Sequence, residues 1–177
     1  MSTYTVSLEP ASEDDLALFA QWWNNCKIAD GCRKEVDPLP VEDNIERFRI
    51  WCHEESDSGF GYAIRNQEGL CVGCISAWGI ADPERDATLS IMVGPYYQGH
   101  GYGSQALTIA LHRLHDMRVA TITVRVAAHN LRARHMFAER GFRERPNAAC
   151  DRARRQAVGH HRDAGERRGC SEDAVAG

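Results

Sequence analysis

Hydrophobic and polar positions alternate in short blocks along most of this chain, and the period of the alternation changes from block to block. Tyr4 to Leu8 reads as an opening strand, and Ser12-Glu13-Asp14-Asp15 as an acidic helix start ahead of Leu16, Leu18, Phe19 and Trp22. Pro38 and Pro40 break the chain before a second helical stretch, where Ile45, Phe48, Ile50 and Trp51 mix both helix faces. Gly61 to Arg65 and Leu70 to Trp78 flank Asn66-Gln67-Glu68-Gly69 as a hairpin, and Ala87 to Val93 supplies the next strand. The sheet is therefore expected to begin antiparallel. Leu107, Ala110, Leu111 and Leu114 then recur at helical spacing and predict an apolar stripe packed on the sheet. In the next strand, Thr121 to Ala127, Ile122, Val124 and Val126 alternate with threonine and arginine, giving one covered and one more polar face. No internal repeat is evident.

This pattern stops after Phe142. Arg143 to Gly177 contains no Leu, Ile, Met, Phe, Tyr or Trp, a composition that favours disorder and does not predict a packed strand pair. Moving one base forward in a back-translation of residues 154 to 164 permits the string Asp-Gly-Arg-x-Trp-Asp-Thr-Ile-Val-Met. The tail therefore reads either as a shifted frame or as a divergent natural end. The chain divides into a domain over residues 1–142 and an atypical polar tail rich in arginine, alanine and glycine over residues 143–177.

A length of 177 residues is enough for one domain with a sizeable core. No apolar run approaches the roughly twenty residues of a membrane span, and Met1-Ser2-Thr3-Tyr4 lacks the basic and hydrophobic regions of a signal peptide. A cytoplasmic location is the expectation, with no membrane partner. The formal net charge of −4 does not advertise nucleic-acid binding, and it tolerates a cationic substrate such as an amine. The seven cysteines, odd in number and irregular in spacing, point to reduced thiols. Cys71-Val72-Gly73-Cys74 lies in a strand-like run and reads as buried strand residues rather than a redox or zinc motif. His112 and His115 have ligand-like spacing without a third ligand, so they read as a solvated helix face and no metal site is expected.

The chemistry concentrates where the strand ending at Val93 runs into Gly94-Pro95-Tyr96-Tyr97-Gln98-Gly99-His100-Gly101-Tyr102-Gly103-Ser104 and then into a helix. Glycines let backbone N–H groups converge on one concavity, and a helix start adds unpaired N–H groups and the positive end of its dipole. An anionic ligand is the first inference. A P-loop is excluded, because no Gly-Lys-Ser or Gly-Lys-Thr follows. The dinucleotide fingerprint fits poorly, because Gly99, Gly101 and Gly103 alternate and lie mid-chain.

The run Gln98-Gly99-His100-Gly101-Tyr102-Gly103 resembles the Gln/Arg-x-x-Gly-x-Gly/Ala loop of the GNAT superfamily of acyl-CoA-dependent N-acetyltransferases. Asn130-Leu131-Arg132-Ala133-Arg134-His135-Met136-Phe137-Ala138-Glu139-Arg140-Gly141-Phe142 is similar to the family's second signature, at the expected distance after the first. Trp22-Trp23-Asn24-Asn25 and Val72-Gly73-Cys74-Ile75 resemble the branch that acetylates ribosomal-protein N-termini and small amines. The resemblance covers roughly residues 5 to 142. It implies an α/β (α+β) GNAT fold, a mixed and mostly antiparallel central sheet flanked by helices, here with its C-terminal strands absent or aberrant. The implied cosubstrate is acetyl-CoA, and the implied acceptor a primary amine on a protein N-terminus, polyamine or antibiotic. An edge exposed by missing strands would favour a homodimer.

The same resemblance implies site residues. Ile91, Met92 and Val93 would run along the pantetheine arm, with an N–H there polarising the thioester carbonyl. Gln98, Gly99, His100, Gly101, Tyr102, Gly103 and Ser104 would hold the pyrophosphate. Asn130 would contact the cofactor's amide arm or cap the helix from Leu131. Phe137 stands where many relatives carry a proton-donating tyrosine, and a phenyl ring has no proton to give. Thr88 stands where this branch often has a glutamate. Glu84 and Asp86, with Glu54 and Glu55, are the nearby acids that could take the acceptor's proton. A CoA-binding protein with impaired catalysis is the alternative reading.

Overall fold

The computed structural model describes residues 5–32, 37–81, 83–145 and 171–176, the last of these as backbone. Strand β1 (Val6–Glu9) leads to helix α1 (Glu13–Trp23), whose start is built by the acidic cluster read from sequence. Ser12 Oγ accepts from the Asp15 N–H at 3.2 Å, and Asp15 Oδ2 accepts from the Ser12 N–H at 2.8 Å, closing a capping box. Arg65 Nη2 donates to the same Asp15 oxygen at 2.6 Å, which ties the helix start to strand β2 (Gly59–Asn66).

Burial pushes the Asp15 carboxyl up, but hydrogen bonds from Ser12 and Arg65 outweigh it and hold the pKa below its ordinary value. A depressed folded-state pKa gives stability that is present above the unfolded value near 3.9 and lost as pH falls through the folded value. Asp15→Asn is therefore expected to cost about 1.5–3 kcal/mol at pH 7 in urea unfolding, with the difference from wild type shrinking below pH 4. A pH-independent difference would contradict the assignment.

Between α1 and the hairpin lie helix α2 (Cys26–Cys32), which the sequence pattern did not predict, and α3 (Val41–Trp51). The mixed faces of the second helical stretch resolve in α3, where Phe48 is buried and Ile50 is 65% exposed. Strands β2 and β3 (Cys71–Trp78) form the predicted hairpin. Strand β4 (Asp86–Val93), helix α4 (Tyr102–Asp116), strand β5 (Thr121–Ala127) and helix α5 (Leu131–Ala138) complete the region legible in sequence. Cys71 and Cys74 are buried in β3, and burial followed by the charge of Asp15 pushes the Cys71 thiol up to about 12. Such a thiol is not a nucleophile at neutral pH.

The chain beyond residue 142 adds little to the sheet. Two short strands, β6 (Arg143–Arg145) and β7 (Ser171–Ala176), join the sheet, which among the described residues has seven strands in the order β1-β2-β3-β4-β5-β7-β6. β7 pairs antiparallel along β5 from Ile122↔Ala176 to Ala127↔Ser171, and β6 pairs with β7. Ladder bonds come from backbone N–H and C=O, so this pairing needs no large apolar side chain. It also occupies the edge of β5 on which the expectation of a homodimer rested. The back-translated string falls on residues outside those described.

Strands β1 to β4 are antiparallel neighbours, whereas β4 and β5 run parallel. One face of the sheet packs on α4 through Leu89, Leu107, Leu114 and Val124, the other on α1 and α3 through Cys74, Met92, Phe19, Phe48 and the tryptophans. The position of the site follows from one irregularity. The β4·β5 pairing runs only from Asp86↔Thr121 to Leu89↔Val124, although β4 continues to Val93 and β5 to Ala127. Beyond Leu89 the two strands part.

Candidate active site

The opening between β4 and β5 presents free backbone on one side. The Gly94 N–H donates to Val72 O at 2.9 Å, on the β3 side. Alternation along a strand then turns the N–H and C=O of Met92 and Ser90 toward β3, and those of Val93 and Ile91 toward the opening. Gln98 Nε2 donates to Val93 O at 3.3 Å, which agrees with that parity. The Ile91 N–H, Ile91 C=O and Val93 N–H remain as the strand edge that a ligand's amides can pair with.

Where β4 ends, the glycine loop shapes the other part of the site. Gly99 and Gly101 have φ of 88° and 78°, in the left-handed region, and Gly101 caps α4 without a side-chain bond. The N–H groups of Tyr102, Gly103 and Ser104 have no intrahelical acceptor, so they and the helix dipole face whatever lies at the helix start. Gly103 serves a different purpose, close packing: a Cβ there would lie 3.1 Å from Val93 Cγ2, so its absence seats α4 on β4. His100 Nδ1 lies 3.2 Å from the carbonyl oxygens of Tyr97 and Gln98, and its ring stacks on Tyr102.

A cavity of about 1000 Å³ joins the two parts. Ile91, Met92, Val93, Gln98, Gly99, Gly101, Tyr102, Gly103, Ser104 and Asn130 all line it. Two of the expected residues lie outside that lining. His100 holds the loop's shape, and Phe137 is buried with its ring 5.1 Å from that of Phe142 in an edge contact. Met92 also lines the cavity, although its N–H and C=O are turned toward β3. Asn130 Oδ1 accepts from the Ala133 N–H at 3.2 Å, capping α5, and the residue also lines the cavity, where it could meet an amide arm.

Glu84 and Asp86 are exposed and off the cavity wall. Asp86 opens β4, roughly 17 Å along the strand from Ile91. Glu55 is engaged elsewhere, its Oε2 accepting from Tyr62 Oη at 2.9 Å and from Arg113 Nη1 at 2.7 Å. Sequence reasoning missed Lys27, Ile28 and Gly31 from α2, together with Tyr97, His129, Arg132, His135, Met136 and Glu139. Tyr97 stands in the glycine-rich stretch, and Arg132, His135, Met136 and Glu139 stand at open positions of the second signature, which His129 precedes. The α2 residues carry no signal of their own.

The Trp22-Trp23-Asn24-Asn25 segment proves architectural. A Cβ on Gly94 would fall 2.7 Å from the Trp22 ring, so the indole lies directly against the start of the loop. Asn24 Nδ2 donates to Leu39 O at 2.8 Å and its Oδ1 accepts from the Leu39 N–H at 3.0 Å, pinning the end of α1 to the approach of α3.

Residues 5–143 match the model of the acetyltransferase (GNAT) domain family. The chain belongs to the GNAT acetyltransferases. Among solved structures, a spermidine N-acetyltransferase from Vibrio cholerae in complex with CoA and spermine superposes with a TM-score of 0.74 at 18% identity, covering 97% of this chain and 95% of that one. A candidate phosphinothricin N-acetyltransferase superposes with a TM-score of 0.72 at 19% identity, covering 96% of each chain. A dodecameric spermidine N-acetyltransferase from Vibrio cholerae gives a TM-score of 0.68 at 18% identity, covering 97% of this chain and 93% of that one. No curated protein matches the sequence. These likenesses show a shared fold.

GNAT acetyltransferases use acetyl-CoA as acetyl donor, and this GNAT chain has the features to hold it. The strand edge at Ile91 and Val93 suits an arm carrying amides. The first turn of α4 suits a diphosphate, an anion at a helix N-terminus. No helix among the described residues is long and apolar enough to cross a membrane.

Proposed function

We propose that this chain transfers the acetyl group of acetyl-CoA to a primary amine on a protein N-terminus, a polyamine or an antibiotic-like small molecule, and that it does so in the cytoplasm. The observation that carries the reading is the parting of β4 from β5 beyond Leu89, which leaves the Ile91 and Val93 edge open beside a phosphate-type helix start. Acetyl-CoA supplies an activated acetyl thioester. The acceptor nitrogen bonds to the acetyl carbon, the C–S bond breaks, and a proton from the nitrogen ends on the departing sulfur or on water.

The chain's own contribution is positioning and polarisation. The Ile91 and Val93 N–H groups are the donors available to a carbonyl lying in the opening, and the loss of such a donor typically costs about 3 kcal/mol of barrier. Glu84 and Asp86 lie off the cavity, so the reading assigns them no proton transfer. A thiolate with an ordinary pKa near 8.5 leaves without a strong acid, which is compatible with phenylalanine at position 137. Titrating acetyl-CoA with a panel of N-terminal peptides, polyamines and amino-bearing antibiotics is expected to give acceptor-dependent release of free thiol with at least one class. Thiol release no faster than the blank for every amine, from protein that binds acetyl-CoA, would contradict transfer and leave binding alone.

A further inference from the structure

Arg140 follows α5, and its side chain lies between α4 and α5, only 22% exposed. Nη2 donates to Ser104 Oγ, Nε to Thr108 Oγ1 at 3.3 Å, and Nη1 to Met136 O at 3.3 Å. All three acceptors are neutral. The carboxylate of Glu139 lies 3.8 Å from Nη1, on a side chain that is 58% exposed. A guanidinium does not lose its proton in a protein, so a full positive charge is held half-buried, against neutral acceptors and one exposed carboxylate among the described residues. Such a charge favours a counter-anion nearby.

The place of that charge is informative. Ser104 lies in the first turn of α4 and lines the cavity, whereas Arg140 stands behind it. A guanidinium only donates, so Ser104 Oγ must accept from Arg140, and the serine's own proton is directed elsewhere. Thr108 Oγ1 donates its proton to Ser104 O at 3.1 Å and is thereby also an acceptor for Arg140. Both hydroxyls are set in one sense, which leaves the Ser104 O–H as a donor at the helix start.

We infer that Arg140 is a positioning residue of the diphosphate site, orienting the Ser104 hydroxyl toward the bound diphosphate and adding a half-buried positive charge behind the α4 N-terminus. The inference rests on the acetyl-CoA reading. In the second sequence signature Arg140 occupies a position the motif leaves open, so spacing gave no sign of it.

The test compares acetyl-CoA with S-acetylpantetheine, which keeps the thioester and amide arm but lacks the diphosphate. Affinities are measured by competition against a bound fluorescent CoA reporter, for wild type, Arg140→Gln, Arg140→Lys and Ser104→Ala. Arg140→Gln is expected to weaken acetyl-CoA about tenfold while leaving S-acetylpantetheine unchanged, as loss of a charge-assisted interaction would. Arg140→Lys should recover most of the affinity, and Ser104→Ala should weaken acetyl-CoA by a smaller factor. A role confined to packing α4 on α5 would weaken both ligands alike, which would overturn the inference, as would an Arg140→Gln affinity equal to wild type. A wild type that binds no acetyl-CoA overturns the acetyl-CoA reading and this inference together.

Discussion

Gly103→Glu is expected to lower the affinity for acetyl-CoA by at least about 100-fold, the largest functional effect of any single change in the loop. Two causes act together. The added carboxylate sits in the first turn of α4 on the cavity wall, where the N–H groups of Tyr102, Gly103 and Ser104 face the anion's place. Like charges about 5 Å apart repel by roughly 3 kcal/mol at an effective dielectric near 20. The new Cβ also starts 3.1 Å from Val93 Cγ2, so α4 must shift by a few tenths of an ångström from the strand edge that the ligand would share. Calorimetric titration gives the affinity, and a urea unfolding curve on the same sample shows that the variant is folded. An affinity within fivefold of wild type would place the anion somewhere other than this loop.

Phe48→Ala is expected to cost about 3–5 kcal/mol of stability, the largest structural effect outside the site. Phe48 is 1% exposed, and its ring centroid lies 5.5 Å from Phe19, 5.6 Å from Trp23 and 5.4 Å from Trp51. Each aromatic pair adds about 0.5–1.5 kcal/mol to the area it buries. The same ring joins α1 to α3, and Trp51 in turn stacks on Trp78 of β3 with planes 4° apart. Removing it loosens the whole layer that covers Met92 and the cysteines on that face of the sheet. Against a total stability of typically 5–15 kcal/mol, the loss is expected to be plain in a urea midpoint at constant slope. A loss below about 1.5 kcal/mol would mean that the tryptophans close over the space.

Regular periods made part of this architecture readable. The alternation of Ile122, Val124 and Val126 gave β5, and the stripe from Leu107 to Leu114 gave α4, because each element buries one face for its whole length. Gly99 and Gly101 were legible because only a backbone in the left-handed region needs glycine there. Helix α2 was not, since seven residues hold too few turns for a period to show, and with it went the cavity wall at Lys27, Ile28 and Gly31. Glu84 and Asp86 stand close to Ile91 in sequence, but an extended strand turns that closeness into distance. The different roles of Ile91 and Met92 depend on strand register, which a single strand's sequence does not contain. Nor did composition foretell that β7 would pair along β5, because backbone groups carry that ladder.

Acetyl-CoA is proposed to bind in the opening between β4 and β5, with its diphosphate at the α4 start. The most direct measurement is calorimetric titration of acetyl-CoA into the folded wild type, repeated with CoA and with ATP as competitors. One site per chain is expected, displaced by CoA and untouched by ATP, and lost in Gly103→Glu. No binding to a folded wild type, or displacement by ATP as readily as by CoA, would contradict it.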